Sequence, residues 1–160
     1  MKKISPILVT GSHRSGSTWV GRTLACDERM HYIHEPFNID LRNSVLNKKF
    51  PYWYQYVTSA NEGEYRDRLD RVMTYQYPLF ENIGDSWSLR DIAANVRNQL
   101  RSMKAKSTHK VPLVKDPLAF FSAEWLSSTF GMNVVMLSRH PAAFCSSIKL
   151  KGWAFDFSNL

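Results

Sequence analysis

Residues 7–19 read Ile7-Leu8-Val9-Thr10-Gly11-Ser12-His13-Arg14-Ser15-Gly16-Ser17-Thr18-Trp19: an apolar run, a turn bounded by two glycines, then a helix start rich in hydroxyls. A strand feeding such a turn aims several backbone N–H groups and the positive end of a helix dipole at one point, a natural seat for phosphate or sulfate. The Gly11-to-Gly16 spacing matches the glycine frame of a nucleotide P-loop, but Ser17 stands where that motif requires Lys. The one cation inside the loop is Arg14. A phosphate loop without its Lys and with an Arg brought forward points away from ordinary ATP or GTP hydrolysis.

A second stretch has the same logic. Asn133-Val134-Val135-Met136-Leu137-Ser138-Arg139-His140-Pro141 is an apolar strand ending in Ser-Arg, followed by a Pro suited to a helix's first turn. Ser147 lies eight residues beyond Arg139, two turns into that helix. Arg14-Ser15-Gly16-Ser17-Thr18-Trp19 resembles the 5′-phosphosulfate loop of sulfotransferases, which take a sulfo group from 3′-phosphoadenosine 5′-phosphosulfate (PAPS). Arg139, Pro141 and Ser147 resemble the same family's 3′-phosphate motif, where an Arg fork and a helix hydroxyl grip the phosphate that distinguishes PAPS from ordinary nucleotides. The two half-sites stand in the family's chain order. The resemblance implies PAPS as donor, adenosine 3′,5′-bisphosphate (PAP) as product, and Trp19 either stacking on adenine or packing in the helix's first turn.

Composition is that of a folded domain. The 160 residues suffice for one core, and 44% hydrophobic with 13% aromatic content argues against disorder. A formal charge of +7 suits an anionic donor or acceptor; the Lys and Arg are scattered, so the plain reading is a solvated basic surface and nucleic acid is not expected as a partner. Cys26 and Cys145 have no metal or redox spacing and fall in expected helices, where buried free thiols are usual. Met1-Lys2-Lys3 is followed by too short an apolar run for a signal peptide, and no stretch could span a bilayer. Golgi sulfotransferases carry an anchor before this loop; a cytoplasmic location is expected here.

Strands alternate with helices along the chain. Strands are expected at about 4–10, 31–34, 111–115 and 133–138; helices at about 17–26, 64–75, 88–103 (with Ser88 as cap) and 119–129, and from Pro141. Short apolar strands separated by helices imply an α/β fold, a parallel sheet with helices on both faces, as in the P-loop-like sulfotransferase fold. Ligands of such sheets bind beyond the strands' carboxyl ends, where Arg14, Glu35, Lys115 and Arg139 would emerge.

Sulfuryl transfer needs an acceptor, a base for its proton and donors that absorb charge on the departing phosphate. Arg14 and the loop N–H groups can supply the last. Positioning and charge management dominate such a reaction, as in phosphoryl transfer, and no metal is expected. Glu35, in His34-Glu35-Pro36-Phe37, follows a strand and resembles the catalytic Glu of carbohydrate sulfotransferases. Burial against Phe37 would raise its pKa and make it a better base. Its competing reading is a strand-end Glu that pairs with an Arg or caps a turn. Lys115 matches the family Lys that contacts the donor sulfo group. The cytosolic small-molecule branch has its base His two residues after that Lys, where this chain has Pro117. That departure favours the Glu-based branch and a hydroxyl-bearing acceptor such as a glycan. His13, His34 and His140 are secondary base candidates, with His34 expected to point away from Glu35. The aromatics of Tyr52–Tyr56 fit either a sugar platform or lid packing.

Two other classes stay open: a P-loop kinase or NTPase with Asp116 holding magnesium, and a non-enzymatic nucleotide-binding fragment. The family continues past the Arg139–Ser147 motif with a glycine- and basic-rich segment that has no match here. Residues 1–160 are therefore expected to be a single sulfotransferase-like domain lacking its C-terminal part, with Trp153, Phe155 and Phe157 uncovered and self-association through them.

Overall fold

The computed structural model describes residues 4–40, 46, 50–84 and 88–154. Four strands, β1 (Ile7–Gly11), β2 (Met30–His34), β3 (Val111–Lys115) and β4 (Asn133–Leu137), form one parallel sheet in the order β2-β3-β1-β4. α1 (Ser17–Leu24) joins β1 to β2. α2 (Arg66–Met73), α3 (Leu79–Gly84) and α4 (Leu89–Ser107) lie between β2 and β3. α5 (Ala123–Phe130) joins β3 to β4, and α6 (Pro141–Lys151) follows β4.

Register explains why the strand sequences are apolar throughout. Leu8, Val114 and Ile33 align across the sheet and belong to a core with Leu69 and Val72 of α2, Leu118, and Trp125 and Leu126 of α5. One step along, Val9, Lys115 and His34 form the next row, on the opposite face because side chains alternate. There Gly21 of α1 sits against the Lys115 stem: a Cβ on Gly21 would stand 3.0 Å from Lys115 Cγ and 3.2 Å from Tyr32 Cε2. Helices thus cover both faces. The core continues into the irregular aromatic region through stacked Phe37, Phe50 and Tyr65, with centroids 4.3 and 5.0 Å apart.

The connection leaving β1 runs to β2 and that leaving β3 runs to β4, in opposite directions across the sheet. Between these adjacent strands a crevice opens at their carboxyl ends, the place where open α/β sheets bind ligands.

Several expectations need correction. The segment expected as one helix at 64–75 is a 3₁₀ turn at Glu62–Glu64 followed by α2, and the helix at 119–129 begins as a 3₁₀ turn at Phe120–Ser122. α3 was not anticipated, although Pro78 directly before it is a helix-start residue. α4 starts where expected, with Ser88 Oγ accepting from Asp91 N (3.2 Å), but runs on to Ser107. Both cysteines are exposed rather than buried: α1 stops at Leu24, before Cys26, and α6, which carries Cys145, has no buried residue. Phe155 and Phe157 lie outside the described residues. Among the described residues no helix is long and apolar enough to cross a membrane.

Candidate active site

The loop after β1 owes its path to two glycines. Gly11 has φ 144°, and a Cβ there would lie 2.1 Å from the Leu137 carbonyl oxygen, so only glycine lets β1 end against β4. Gly16, at φ 94°, is the N-cap of α1 and supplies no side chain to the helix's first N–H groups. No acidic residue occupies that first turn. The open helix end and its dipole are left for an anion.

Two further elements converge on it. The α6 N-terminus, with Pro141 in its first turn and His140 Nδ1 accepting from Ala142 N (3.2 Å), follows Arg139. Arg139 Nη1 donates to the Arg14 carbonyl (2.8 Å), and Arg14 Nε donates to Ser147 Oγ (3.0 Å). Arg14 has the left-handed φ of 62° and lies 5.8 Å from the centre of the Trp153 ring. The two motifs of the sequence are therefore in direct contact, bridged by Arg14.

On the other side of the crevice stands an ion pair. Lys115 Nζ donates to Glu35 Oε1, and Asn38 Nδ2 donates to Glu35 Oε2 (2.7 Å). Lys115 is buried to its ammonium, beneath Gly21, while Glu35 is partly exposed. Glu35 takes the left-handed φ of 41° and donates its N–H to the Lys115 carbonyl (2.9 Å). That turn sets aside the expectation that strand alternation alone would separate it from His34, which stacks on Tyr32 instead. Burial pushes the Glu35 carboxyl up, but hydrogen bonds from Lys115 and Asn38, with the charges of Lys115 and His34, more than reverse this and hold it below its ordinary value. The expected net rise does not occur, because Lys115 and Asn38 outweigh burial; Phe37 itself turns into the core against Phe50.

Asp116 fixes this corner. Fully buried, it accepts from Phe37 N (2.6 Å) through Oδ2 and from Leu118 N (2.9 Å) through Oδ1, tying the turn after β2 to the turn after β3. Burial outweighs those bonds and raises its carboxyl to about 7. With both oxygens engaged by backbone and closed to solvent, Asp116 is not placed to hold magnesium. Among the described residues, no group of three or more His, Cys, Asp or Glu side chains is placed to hold a metal.

Arg14, Gly16, Ser17, Thr18, Trp19, Glu35, Lys115 and Arg139 all line one cleft of about 750 Å³. Ser15 and Ser147 do not: the Ser15 hydroxyl is buried without a partner, and Ser147 reaches the cleft through Arg14. Trp19 is largely exposed along the wall, not packed in the helix's first turn. Arg22, Thr23 and Cys26 extend that wall and were not read from sequence as site residues. Their signal was helical spacing from Trp19. His13 also lines the cleft. It stacks on Trp53 (5.7 Å, 26°), meets the edges of Tyr54 and Trp153, and shares a hydrogen bond with the Tyr54 hydroxyl. Burial lowers its pKa, outweighing the pull of Glu35. Of the Tyr52–Tyr56 aromatics, Trp53 and Tyr54 thus pack on the loop, and Tyr52 and Tyr56 are exposed.

Comparison with curated proteins and with solved structures gave no match. A family model described as the Sulfotransferase family matches residues 6–159, and the chain belongs to that family of sulfo-group transferases.

Proposed function

We propose that the chain transfers a sulfo group from PAPS to a hydroxyl acceptor, with Glu35 as general base. The observation that carries this reading is the Glu35–Lys115 pair facing, across one cleft, a helix end with neither a cap nor an acidic first turn. A dianionic group suits that end, and Arg139, Ser147 and Arg14 form a second cationic and hydroxyl cluster for another phosphate. The residues fit a nucleotide carrying phosphate at both its 5′ and 3′ positions.

The donor supplies an activated sulfo group, whose bond to the 5′-phosphate oxygen breaks as the acceptor oxygen bonds to sulfur. The loop N–H groups of Ser17, Thr18 and Trp19, with Arg14, stabilise charge on the phosphate that leaves. Lys115 can share its ammonium between Glu35 and a sulfo oxygen. As it does so, its hold on Glu35 weakens, and the carboxylate becomes a stronger acceptor for the hydroxyl proton. The low pKa of Glu35 without donor is then a resting state that donor binding lifts. Trp19, exposed on the cleft wall, would stack on the adenine ring. His13, kept neutral, and the Trp153 ring wall the side where the acceptor enters, and flat apolar ring faces of this kind suit a glycan.

We further take residues 1–160 as one domain to which additional chain adds cover, because β4 exposes Val134 and Met136 and α6 buries none of its residues. The test of function is transfer from PAPS to a panel of hydroxyl acceptors. Glu35→Gln should lower transfer by roughly 10²–10⁴-fold and leave PAP affinity unchanged. Undiminished transfer by that variant would move the base to another residue.

A further inference from the structure

α4 is built inside out. Its core side carries Asn95, Ser102 and Ala105, with Asn95 accepting from Tyr77 Oη (2.7 Å) and donating to the Asn82 carbonyl (3.3 Å). Five of its apolar residues, Leu89, Ala93, Val96, Leu100 and Met103, are exposed, Leu89 at 85% and Leu100 at 61%, while Ile92 and Ala94 are half-buried. At 100° per residue these five fall within an arc of about 80°, one straight seam along the helix. Phe80 of the adjoining α3 is exposed as well, at 87%. Scattered surface leucines need no explanation, but an aligned apolar seam opposite a core side that carries Asn95 and Ser102 does.

The charges beside the seam say what it meets. Arg90, Arg97, Arg101 and Lys104 form a row along one flank, all exposed, and Lys106 lies on the other. The helix's one acidic residue, Asp91, is on the core-facing half, accepting from Ser88 Oγ (2.9 Å). A second copy packed antiparallel through the seam would set the Arg row against itself. Nucleic acid would use the row and leave the leucines in water. An apolar seam directed away from the domain, bordered by guanidinium groups, suits a surface that is apolar inside and anionic at its rim.

We propose that α4 docks the protein peripherally on an anionic lipid bilayer, Leu89, Val96, Leu100 and Met103 entering the acyl boundary and the Arg row meeting the headgroups. The helix lies flat for about 28 Å of its length. No membrane span is involved, and the cleft at the strand ends is formed by other elements.

The experiment is co-sedimentation of the whole chain with phosphatidylcholine vesicles, with and without 30% phosphatidylserine. Binding is expected only to the anionic vesicles and should weaken in high salt. Arg97→Gln and Arg101→Gln should each reduce it about fivefold, and Leu100→Gln by tenfold or more, since both an apolar contact and its depth are lost. PAP affinity should stay constant in all three variants, which shows them folded and separates this test from that of the transferase reading. Absence of binding to anionic vesicles would overturn the proposal. So would binding that Leu100→Gln leaves unchanged, which marks plain charge attraction, or a solution dimer that Leu100→Gln dissociates, which assigns the seam to a second copy.

Discussion

Replacing Lys115 by Met keeps the stem under Gly21 and removes the ammonium from Glu35. Breaking a buried ion pair from one side costs about 3–5 kcal/mol, because the remaining charge is left desolvated. Glu35 keeps its bond from Asn38 and is partly exposed, so the lower end, about 3 kcal/mol at pH 7, is expected. The sign of the pH dependence is the sharper readout. In the unaltered protein Glu35 has a depressed pKa; its contribution is present above the ordinary value of 4.5 and is lost as pH falls through the folded value. Without Lys115, burial, the largest influence on this carboxyl, prevails and raises it. Its effect then reverses: stability is held at low pH, where Glu35 is protonated, and declines as pH rises past 4.5. Urea unfolding at pH 4 and pH 7 should therefore show a Lys115→Met deficit that shrinks at pH 4. At pH 7 the double variant Glu35→Gln/Lys115→Met should recover much of the loss. A deficit equal at both pH values, with additive single variants, would refute the pairing of these residues.

Gly21→Ala places a methyl 3.0 Å from Lys115 Cγ; thermal unfolding should show a loss of about 1–3 kcal/mol, and transfer should fall further as the Lys115 ammonium is displaced. Asp116→Asn turns an amide NH₂ toward one of two backbone donors and should cost about 1–3 kcal/mol. Because the Asp116 carboxyl is raised to about 7, its contribution is full below about pH 4 and is lost by about pH 7. The variant's deficit in urea unfolding should accordingly shrink between pH 4.5 and pH 7.5.

The sheet and its cleft were legible because their signals are local. The strand-turn-helix at 7–19 carries two glycines and several hydroxyls, and the strand-Arg-Pro at 133–141 carries a serine and a proline, residues whose conformational needs are written in two or three positions. The strands buried on both faces, Leu8, Val9, Leu113 and Val114, read as unbroken apolar runs for the same reason. Glu35 was located from its place after a strand, but its protonation behaviour was not. That depends on Lys115, which is 80 residues away in sequence and brought beside it by the β2–β3 register. Asp116 escaped notice as a clasp because its partners are backbone N–H groups, which no sequence pattern marks. The polarity of α4 followed from tertiary packing as well: the helix and its Ser88 cap were legible, but which stripe faced inward was decided by Tyr77 and Asn82.

Binding of PAP and of AMP, measured by calorimetry on the unaltered protein and on Arg139→Ala, tests the central claim most directly. If the uncapped helix end and the Arg14–Arg139–Ser147 cluster hold the donor's two phosphates, PAP binds markedly more tightly than AMP. Arg139→Ala then weakens PAP by about 1.5–3 kcal/mol and AMP hardly at all. Equal affinity for the two nucleotides, or an Arg139→Ala effect shared equally by both, would contradict the assignment of PAPS as donor.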